Sequence, residues 1–237
     1  MTRRATLVAL ASAVAACSSS ASEAVTTTTR PTATTVAATS STVPATTPVA
    51  STTTIVLDSL AHSYPIRADV RSSYARSHGG YPATDLFAPC GTEVLAMATG
   101  TVTEARVVDR YDRSTDNPAL RGGRSVTLVG DDGVRYYMSH FDEVAVTVGA
   151  RVVAGDPLGT IGLTGDSTSC HTHLGLSPPC QGPEWSVRRG VVWPWPYLDA
   201  WRTETTMSPA AEVAAWVSAH PHACADAMAD PVASDAA

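Results

Sequence analysis

The 237-residue chain has no lysine, so its 16 basic residues are all arginine. They form no visible cluster in the sequence. Its 22 acidic residues give a formal net charge of −6 at pH 7, with a pI near 5.6. Proteins that bind nucleic acid present a clustered basic face. The composition therefore argues against a nucleic-acid partner.

The N-terminal region lacks an apolar run long enough to cross a membrane. Ala5–Ala16 is apolar but spans only about 18 Å as a helix, against a hydrocarbon core of roughly 30 Å. This run follows the basic Met1–Arg4, so residues 1–16 have the pattern of a signal peptide. The ending Ala15-Ala16-Cys17 resembles a bacterial lipobox and predicts a lipid anchor on Cys17, with ordinary secretion as the alternative.

Residues 17–54 also lack the composition of a folded segment. Between Ser18 and Thr54 there is no aromatic residue and almost no charge, and Ser, Thr, Ala, Val and Pro make up nearly all of the segment. Such a segment cannot bury a core, so we expect a disordered tether after the lipidated cysteine. The expected order then continues with a β domain over 55–200, a helical extension over 201–224 and a disordered tail over 225–237.

The expected domain has short β-rich runs separated by Gly and Asp, with no long helical periodicity. This pattern predicts a mostly β fold with an antiparallel sheet core. Asp131-Asp132-Gly133 predicts a hairpin, and the polar stretch Asp109–Gly123 is expected to form a wall of a substrate groove. The predicted strands are Glu93–Met97, Thr101–Val108, Ser125–Val129, Val134–His140 and Ala150–Val153.

One helix is predicted after the β domain, from Pro209 to about His220. Ser208 is its expected N-cap, and proline is favoured at the first helical position. Val213, Trp216 and Val217 share one face of this helix and are expected to pack.

Four cysteines remain besides Cys17, an even number that predicts two disulfides in an exported domain. Four cysteines allow three pairings. We favour Cys170 with Cys180, which are close in sequence, and Cys90 with Cys224.

The sequence has no Gly-x-Ser-x-Gly or His-Glu-x-x-His motif, so neither a serine hydrolase nor a helical zinc protease is indicated. It does contain His171-Thr172-His173. On a strand these imidazoles would stand on one face about 7 Å apart, so that one can bind a metal while the other contacts the metal's water. Two histidines with one carboxylate, such as Asp85, would give the three protein ligands of a catalytic zinc site.

Several segments in order resemble the lysostaphin-like, or LytM-type, family of zinc endopeptidases. The resemblance implies zinc ligands at His78, Asp85 and His173, and catalytic roles for His140 and His171 beside the metal-bound water. It also implies peptidoglycan peptides as the substrate, and we expect a monomer. The matching segments are Ala83-Thr-Asp-Leu-Phe-Ala-Pro-Cys-Gly-Thr-Glu-Val94, Gly100-Thr-Val102, Tyr136-Tyr-Met-Ser-His140, Val152-Val-Ala-Gly-Asp-Pro-Leu-Gly-Thr-Ile-Gly162, Thr164-Gly165 and His171-Thr-His-Leu-Gly175.

The chain departs from this family at the first ligand. The family commonly places its Asp four residues after the first His, whereas Asp85 follows His78 by seven, with Gly79-Gly80 in between. The two glycines make a bulged loop accessible. The longer spacing supports the alternative that the chain is an inactive LytM-type module that binds the cell wall and regulates another hydrolase.

Two weaker enzyme classes and two surface features complete the expectations. An iron oxygenase also uses two His and one carboxylate, and a cysteine amidase would need a free Cys170 thiol beside His171.

The aromatic cluster Trp185, Trp193, Trp195 and Tyr197 is expected to pack at the sheet edge, with a sugar-binding groove as the alternative. Arg188-Arg189 is expected to be a solvated pair.

Overall fold

The computed structural model describes residues 61–182 and 184–230. The expected signal peptide, Cys17 and the tether therefore lie outside the described residues. The described part has ten strands, namely β1 Ser73–Tyr74, β2 Thr84–Phe87, β3 Glu93–Leu95, β4 Gly100–Arg106, β5 Ser125–Gly130, β6 Arg135–Ser139, β7 Phe141–Val144, β8 Arg151–Val152, β9 Pro157–Ile161 and β10 His171–Ser177. It also has three helices, α1 Trp195–Arg202, α2 Ala210–Ala219 and α3 Ala223–Met228.

The strands form two antiparallel sheets. Seven strands are ordered β1-β2-β10-β6-β5-β4-β8, and three are ordered β3-β9-β7. This confirms the predicted mostly β, antiparallel fold. The five predicted strands correspond to β3, β4, β5, β6 and β8 with small shifts at their ends.

The predicted hairpin joins β5 to β6. The Gly130 amide donates to the Val134 carbonyl, and the Gly133 amide donates to the Gly130 carbonyl, both at 2.9 Å. The short turn places β5 beside β6 over their whole lengths. Strand β6 then ends at Ser139, which brings the next residue, His140, to the end of the sheet where β10 begins pairing.

Strand alternation separates the core from a polar face in the middle of the large sheet. Leu86, Met138 and Leu174 lie on neighbouring strands, are fully buried and belong to the main hydrophobic cluster. Because successive side chains point to opposite faces, Asp85 and His173 project from the other side of the same strands. The apolar residues between them fix which face each polar side chain takes.

The helical region differs from the prediction at both ends. Helix α1 was not predicted, and it buries Tyr197, Leu198 and Trp201. Of these, only Tyr197 belongs to the aromatic cluster that was expected to pack at the sheet edge. Helix α3 corrects the tail expected from residue 225, because Cys224 is held by a disulfide and Ala227 is buried. None of the described helices is long and apolar enough to cross a membrane.

Helix α2 confirms the helix predicted from Pro209 to about His220. Pro209 is its N-cap, and the Ser208 hydroxyl accepts a hydrogen bond from the Ala210 amide at 3.1 Å. Of the face expected to pack, Val213 is buried while Val217 is exposed. The packing face of this short helix is therefore narrower than the periodicity indicated.

The favoured disulfide pairing is wrong. The structure pairs Cys90 with Cys170 and Cys180 with Cys224, with Cα–Cα distances of 5.2 and 5.4 Å. Cys170 and Cys180 flank the seven-residue strand β10 and so lie at its opposite ends. Strand β2 pairs with β10 so that Phe87 faces His171, which brings Cys90 to the Cys170 end. The disulfide also removes the free Cys170 thiol that a cysteine amidase would need.

We expect peptide mapping to show this pairing directly. Digestion of the non-reduced protein should yield one disulfide-linked peptide pair that contains Cys90 and Cys170, and another that contains Cys180 and Cys224. Mass spectrometry before and after reduction distinguishes these pairs. A linked pair containing Cys170 and Cys180 would contradict the strand register described above.

A buried ion pair holds the segment that follows β10. The Arg135 and Glu184 side chains are 3% and 0% exposed and form an ion pair. Glu184 also accepts hydrogen bonds from the backbone amides of Val187 and Arg188, at 3.0 and 3.1 Å. One carboxylate thus anchors the turn before Arg189 to strand β6.

Removing this carboxylate should destabilise the protein strongly. Glu184→Ala leaves the Arg135 guanidinium buried without its partner, and breaking such a pair costs about 3–5 kcal/mol. Urea denaturation should show this loss in the free energy of unfolding. The control Glu143→Ala changes an exposed side chain on β7 and should stay within about 0.5 kcal/mol of the wild type. Equal stability of the two variants would contradict the role given to Glu184.

Candidate functional site

Asp85 and His173 meet across two paired strands. The register places His173 of β10 directly opposite Asp85 of β2, so their side chains lie on one face of the sheet. The His173 Nδ1 atom lies 3.0 Å from Asp85 Oδ1. The strand pairing thus positions two of the three expected ligands without help from a flexible loop.

The other nitrogen of His173 is held by the backbone. Its Nε2 lies 2.9 Å from the Arg189 carbonyl oxygen, to which it donates a hydrogen bond. In a neutral imidazole this leaves the lone pair on Nδ1, facing the Asp85 carboxylate. Two acceptors at this distance need a cation between them, either a proton on the imidazole or a metal ion. A backbone carbonyl on the far nitrogen is the usual arrangement for a metal-binding histidine.

His78 joins this pair despite its longer spacing from Asp85. Its Nε2 lies 3.8 Å from Asp85 Oδ2, and one ligand atom from each of His78, Asp85 and His173 falls within 4.8 Å of the other two. The loop turns back at Gly80, whose φ of 88° favours glycine. Tyr81, four residues before Asp85, fills the space beside His78, with ring centroids 4.5 Å apart.

The charge states of this group suit a cation. Burial acts to raise the pKa of Asp85, but the hydrogen bond with His173 and the surrounding histidines outweigh it, so the pKa lies below its usual value. Burial, together with the neighbouring His173, lowers the pKa of His78. Zinc takes carboxylate and imidazole ligands in catalytic sites, so these residue types fit the metal.

His140 and His171 lie beside this group, with their ring centroids 4.6 Å apart. The His140 Nδ1 donates to the Thr164 carbonyl, and the His171 Nδ1 donates to the Ser169 carbonyl, each at 2.8 Å. These bonds place the proton on Nδ1 and leave Nε2 as an acceptor. The His171 Nε2 lies 3.8 Å from Asp85 Oδ1 and therefore faces the candidate ligands.

The backbone holds His140 in an uncommon conformation. Its φ is 66°, a region that few non-glycine residues occupy. The His140 amide donates to the Gly122 carbonyl at 2.9 Å, and its own carbonyl accepts from the Gly162 amide at 2.8 Å. Burial lowers the pKa of His140 to about 4, so its imidazole is neutral near pH 7.

These side chains line a cleft of about 440 Å³. The segment 109–123 forms one wall through Pro118, Arg121 and Gly122, as the sequence predicted. The Gly165 backbone packs directly against this wall, because a Cβ there would lie 2.1 Å from the Arg121 carbonyl oxygen. Its φ of 71° also favours glycine. The remaining lining includes Phe87, Tyr137, Ser139, Asp166, Ser167, Thr168 and Ser169.

The expectation of a solvated arginine pair is wrong. Arg188 is 2% exposed and pairs with Glu104 at 2.8 Å. The Arg189 guanidinium carbon lies 4.0 Å from the Tyr81 ring centroid and 4.8 Å from that of Trp185. Both arginines and Trp185 line the cleft. Sequence reasoning missed them because a run of two arginines carries no signal of the aromatic partners that the fold brings to it.

Comparison with known proteins finds similarity to one peptidase family. Residues 79–182 match the family model described as peptidase family M23. That match supports an M23 peptidase. The match contains Asp85, His140, His171 and His173, whereas His78 lies one residue before it. The match therefore does not include the first candidate ligand.

Curated proteins are also similar to part of this chain. The glycyl-glycine endopeptidase ALE-1 of Staphylococcus capitis is 35% identical over 97 residues, which is 40% of this chain and 24% of that protein. Lysostaphin of Staphylococcus simulans is 33% identical over 97 residues, or 40% of this chain and 18% of that protein. The chain therefore matches about a quarter or less of the length of these relatives.

Two solved structures are also similar to this chain. The catalytic domain of lysostaphin from Staphylococcus simulans is 26% identical, with a TM-score of 0.45, over 58% of this chain and 98% of that one. A putative glycyl-glycine endopeptidase lytM from Ruminococcus gnavus is 24% identical, with a TM-score of 0.46, over 62% of each chain.

Metal content tests the three-residue group. The purified wild-type protein should hold about one zinc ion per chain, because two imidazoles and a carboxylate supply the protein ligands of a catalytic site. His173→Ala and His78→Ala should each reduce zinc affinity by about 100-fold or more, measured by competition with a chromogenic chelator. His222→Ala, an exposed histidine at the start of α3, serves as the control. Unchanged affinity in the His78→Ala variant would remove this residue from the ligand set.

Proposed function

We propose that this chain is a zinc-dependent metalloendopeptidase of family M23 that hydrolyses peptide bonds in peptidoglycan. The observation that carries the proposal is the arrangement of five side chains in one cleft. Three of them can hold a metal, and two further imidazoles stand beside it with their Nδ1 atoms tied to backbone carbonyls. A structural metal site would not require the two additional imidazoles.

His78, Asp85 and His173 would hold the ion. When bound there, zinc would polarise a peptide carbonyl and lower the pKa of a water molecule to about 7, so hydrolysis needs no protein nucleophile. The Arg189 carbonyl would keep His173 Nδ1 turned toward Asp85 throughout. The low pKa of Asp85 keeps its carboxylate ionised at neutral pH.

His140 and His171 would move protons and stabilise charge. In the neutral tautomer that these bonds select, each presents Nε2 as an acceptor, because its Nδ1 proton is held by a carbonyl oxygen. One imidazole can accept a proton from the attacking water, and the protonated ring can then give it to the leaving amine. The burial of His140 favours its neutral form.

The place of action and the substrate form part of the proposal. The names of the curated relatives include a glycyl-glycine endopeptidase and lysostaphin, which supports a peptide bond as the target. The signal-peptide pattern, the lipobox-like Cys17 and the tether-like composition support an exported protein held near the outer face of the membrane by lipid. We propose that it works there as a monomer.

The inactive regulatory module is the competing proposal. Its main support was the seven-residue separation of His78 from Asp85. The loop nevertheless brings the two side chains to 3.8 Å, so the longer spacing does not separate the ligand atoms. An iron oxygenase would also fit two histidines and a carboxylate, but it has no use for the two additional imidazoles.

Release of amines from peptidoglycan tests the enzyme. The zinc-loaded wild type should release new amino groups and lose this activity on treatment with a chelator. His171→Ala should reduce the rate by about 100- to 10,000-fold, because a positioned acid or base contributes that much, while zinc content stays unchanged. His222→Ala should match the wild type. A zinc-loaded wild type that releases no amines, yet stimulates a separate wall hydrolase, would favour the regulatory module.

A further inference from the structure

We propose that Arg189 is a specificity-determining residue that binds a free carboxylate of the peptide substrate beside the scissile bond. This inference rests on the proposed peptidase function and narrows its substrate to acidic peptides. The residue, its partners and its position relative to the candidate metal ligands carry the argument.

The Arg189 guanidinium is held by aromatic faces rather than by anions. Tyr81 and Trp185 lie 4.0 and 4.8 Å from its central carbon. Contact with two aromatic rings restrains a guanidinium, and it leaves the N–H groups available to a hydrogen-bond acceptor because they are not used by the rings. An arginine held in this way is ready for a planar, two-oxygen partner such as a carboxylate.

The hydrogen-bonding capacity of this guanidinium is unused within residues 61–182 and 184–230. No carboxylate in that part of the chain lies within 4.0 Å of it, and its Nε is buried without an acceptor. The two other arginines that line the cleft are neutralised, because Arg121 pairs with Asp116 and Arg188 pairs with Glu104. Arg189 is therefore the cleft arginine whose charge is uncompensated by the described residues.

Nearby carboxylates are already engaged. Asp85 faces the histidines, and Asp166 lies 3.3 Å from Arg113 and 4.0 Å from Arg121. The chain thus places a cation in the cleft and commits the surrounding anions elsewhere. An acidic substrate group would supply the charge that the protein does not.

The position of Arg189 ties this cation to the reaction centre. Its carbonyl accepts the hydrogen bond from His173 Nε2, and its amide donates to the Trp185 carbonyl at 3.1 Å. The Tyr81 ring that carries the guanidinium also lies 4.5 Å from His78 and 5.8 Å from His173, between ring centroids. One aromatic ring separates the guanidinium from the candidate metal ligands. A carboxylate held there would lie close to the bond being cut.

This geometry predicts a preference that a glycyl-glycine bridge cannot satisfy, because such a bridge has no side-chain carboxylate. The probe is a set of soluble peptidoglycan peptides, used untreated and after conversion of their free carboxyl groups to carboxamides with carbodiimide and ammonia. For the wild type, kcat/KM should fall by about 10- to 100-fold on amidation, the range that a hydrogen bond to a charged group contributes.

Variants separate this contact from general charge effects. Arg189→Gln should cleave both forms with nearly equal kcat/KM, at about the rate of the wild type on amidated peptides. Arg189→Lys keeps the charge but loses the planar fork, so it should retain part of the preference. Arg151→Gln is the control, because this arginine lies on the edge strand β8 and pairs with Asp131. It should keep the full wild-type preference.

Binding to the His171→Ala variant, measured by calorimetry, distinguishes failure of this inference from failure of the proposed function. If the wild type cleaves both peptide forms equally, Arg189 does not bind a carboxylate, although the peptidase stands. If neither form is cleaved, the proposed peptidase function is wrong. The carboxylate site is still supported if the untreated peptides bind at least about tenfold more tightly than the amidated ones and adding Arg189→Gln abolishes this difference. Absence of both cleavage and preferential binding overturns the inference. Equal cleavage of both peptide forms by the wild type overturns the inference even if an Arg189 variant fails to fold.

Discussion

The pairing of β2 with β10 is the constraint on which the rest of the site depends. It sets Asp85 opposite His173, and strand alternation sends Leu86 and Leu174 into the core, so the register cannot slip by one residue without exposing apolar side chains and burying the carboxylate. The energy of the hydrophobic core thus fixes the position of the polar pair. The candidate ligand on the loop, His78, then only completes a group whose other two members are already in place.

A second chain of contacts runs from the core to the same histidine. The Arg135 side chain on β6 holds the buried Glu184, and Glu184 holds the backbone amides of Val187 and Arg188. The next residue, Arg189, offers its carbonyl to His173 and its side chain to the cleft. The orientation of a candidate metal ligand and the placement of a candidate substrate-binding cation therefore depend on one anchored turn.

Local sequence patterns predicted the features that depend on neighbouring residues. The short β-rich runs, the Asp131-Asp132-Gly133 hairpin and helix α2 were all predicted, and the family resemblance pointed to the five side chains that the structure brings into one cleft. Features set by long-range register were not accessible. The pairing of Cys90 with Cys170 follows from which strands are neighbours, which sequence spacing does not reveal. Arg189 and Tyr81 are 108 positions apart, so their contact had no sequence signal, whereas the turn at Gly80 could be anticipated from its glycines.

The central claim is that His78, Asp85 and His173 bind one catalytic zinc ion despite the extended spacing of the first two. Anomalous diffraction at the zinc edge, from crystals of the zinc-loaded protein, tests it most directly. The account predicts a single strong peak about 2.0–2.2 Å from a nitrogen of each histidine and from an Asp85 oxygen, with His140 and His171 beside it but not bound to it. A peak held by other residues, or a site from which His78 is absent, would contradict the account.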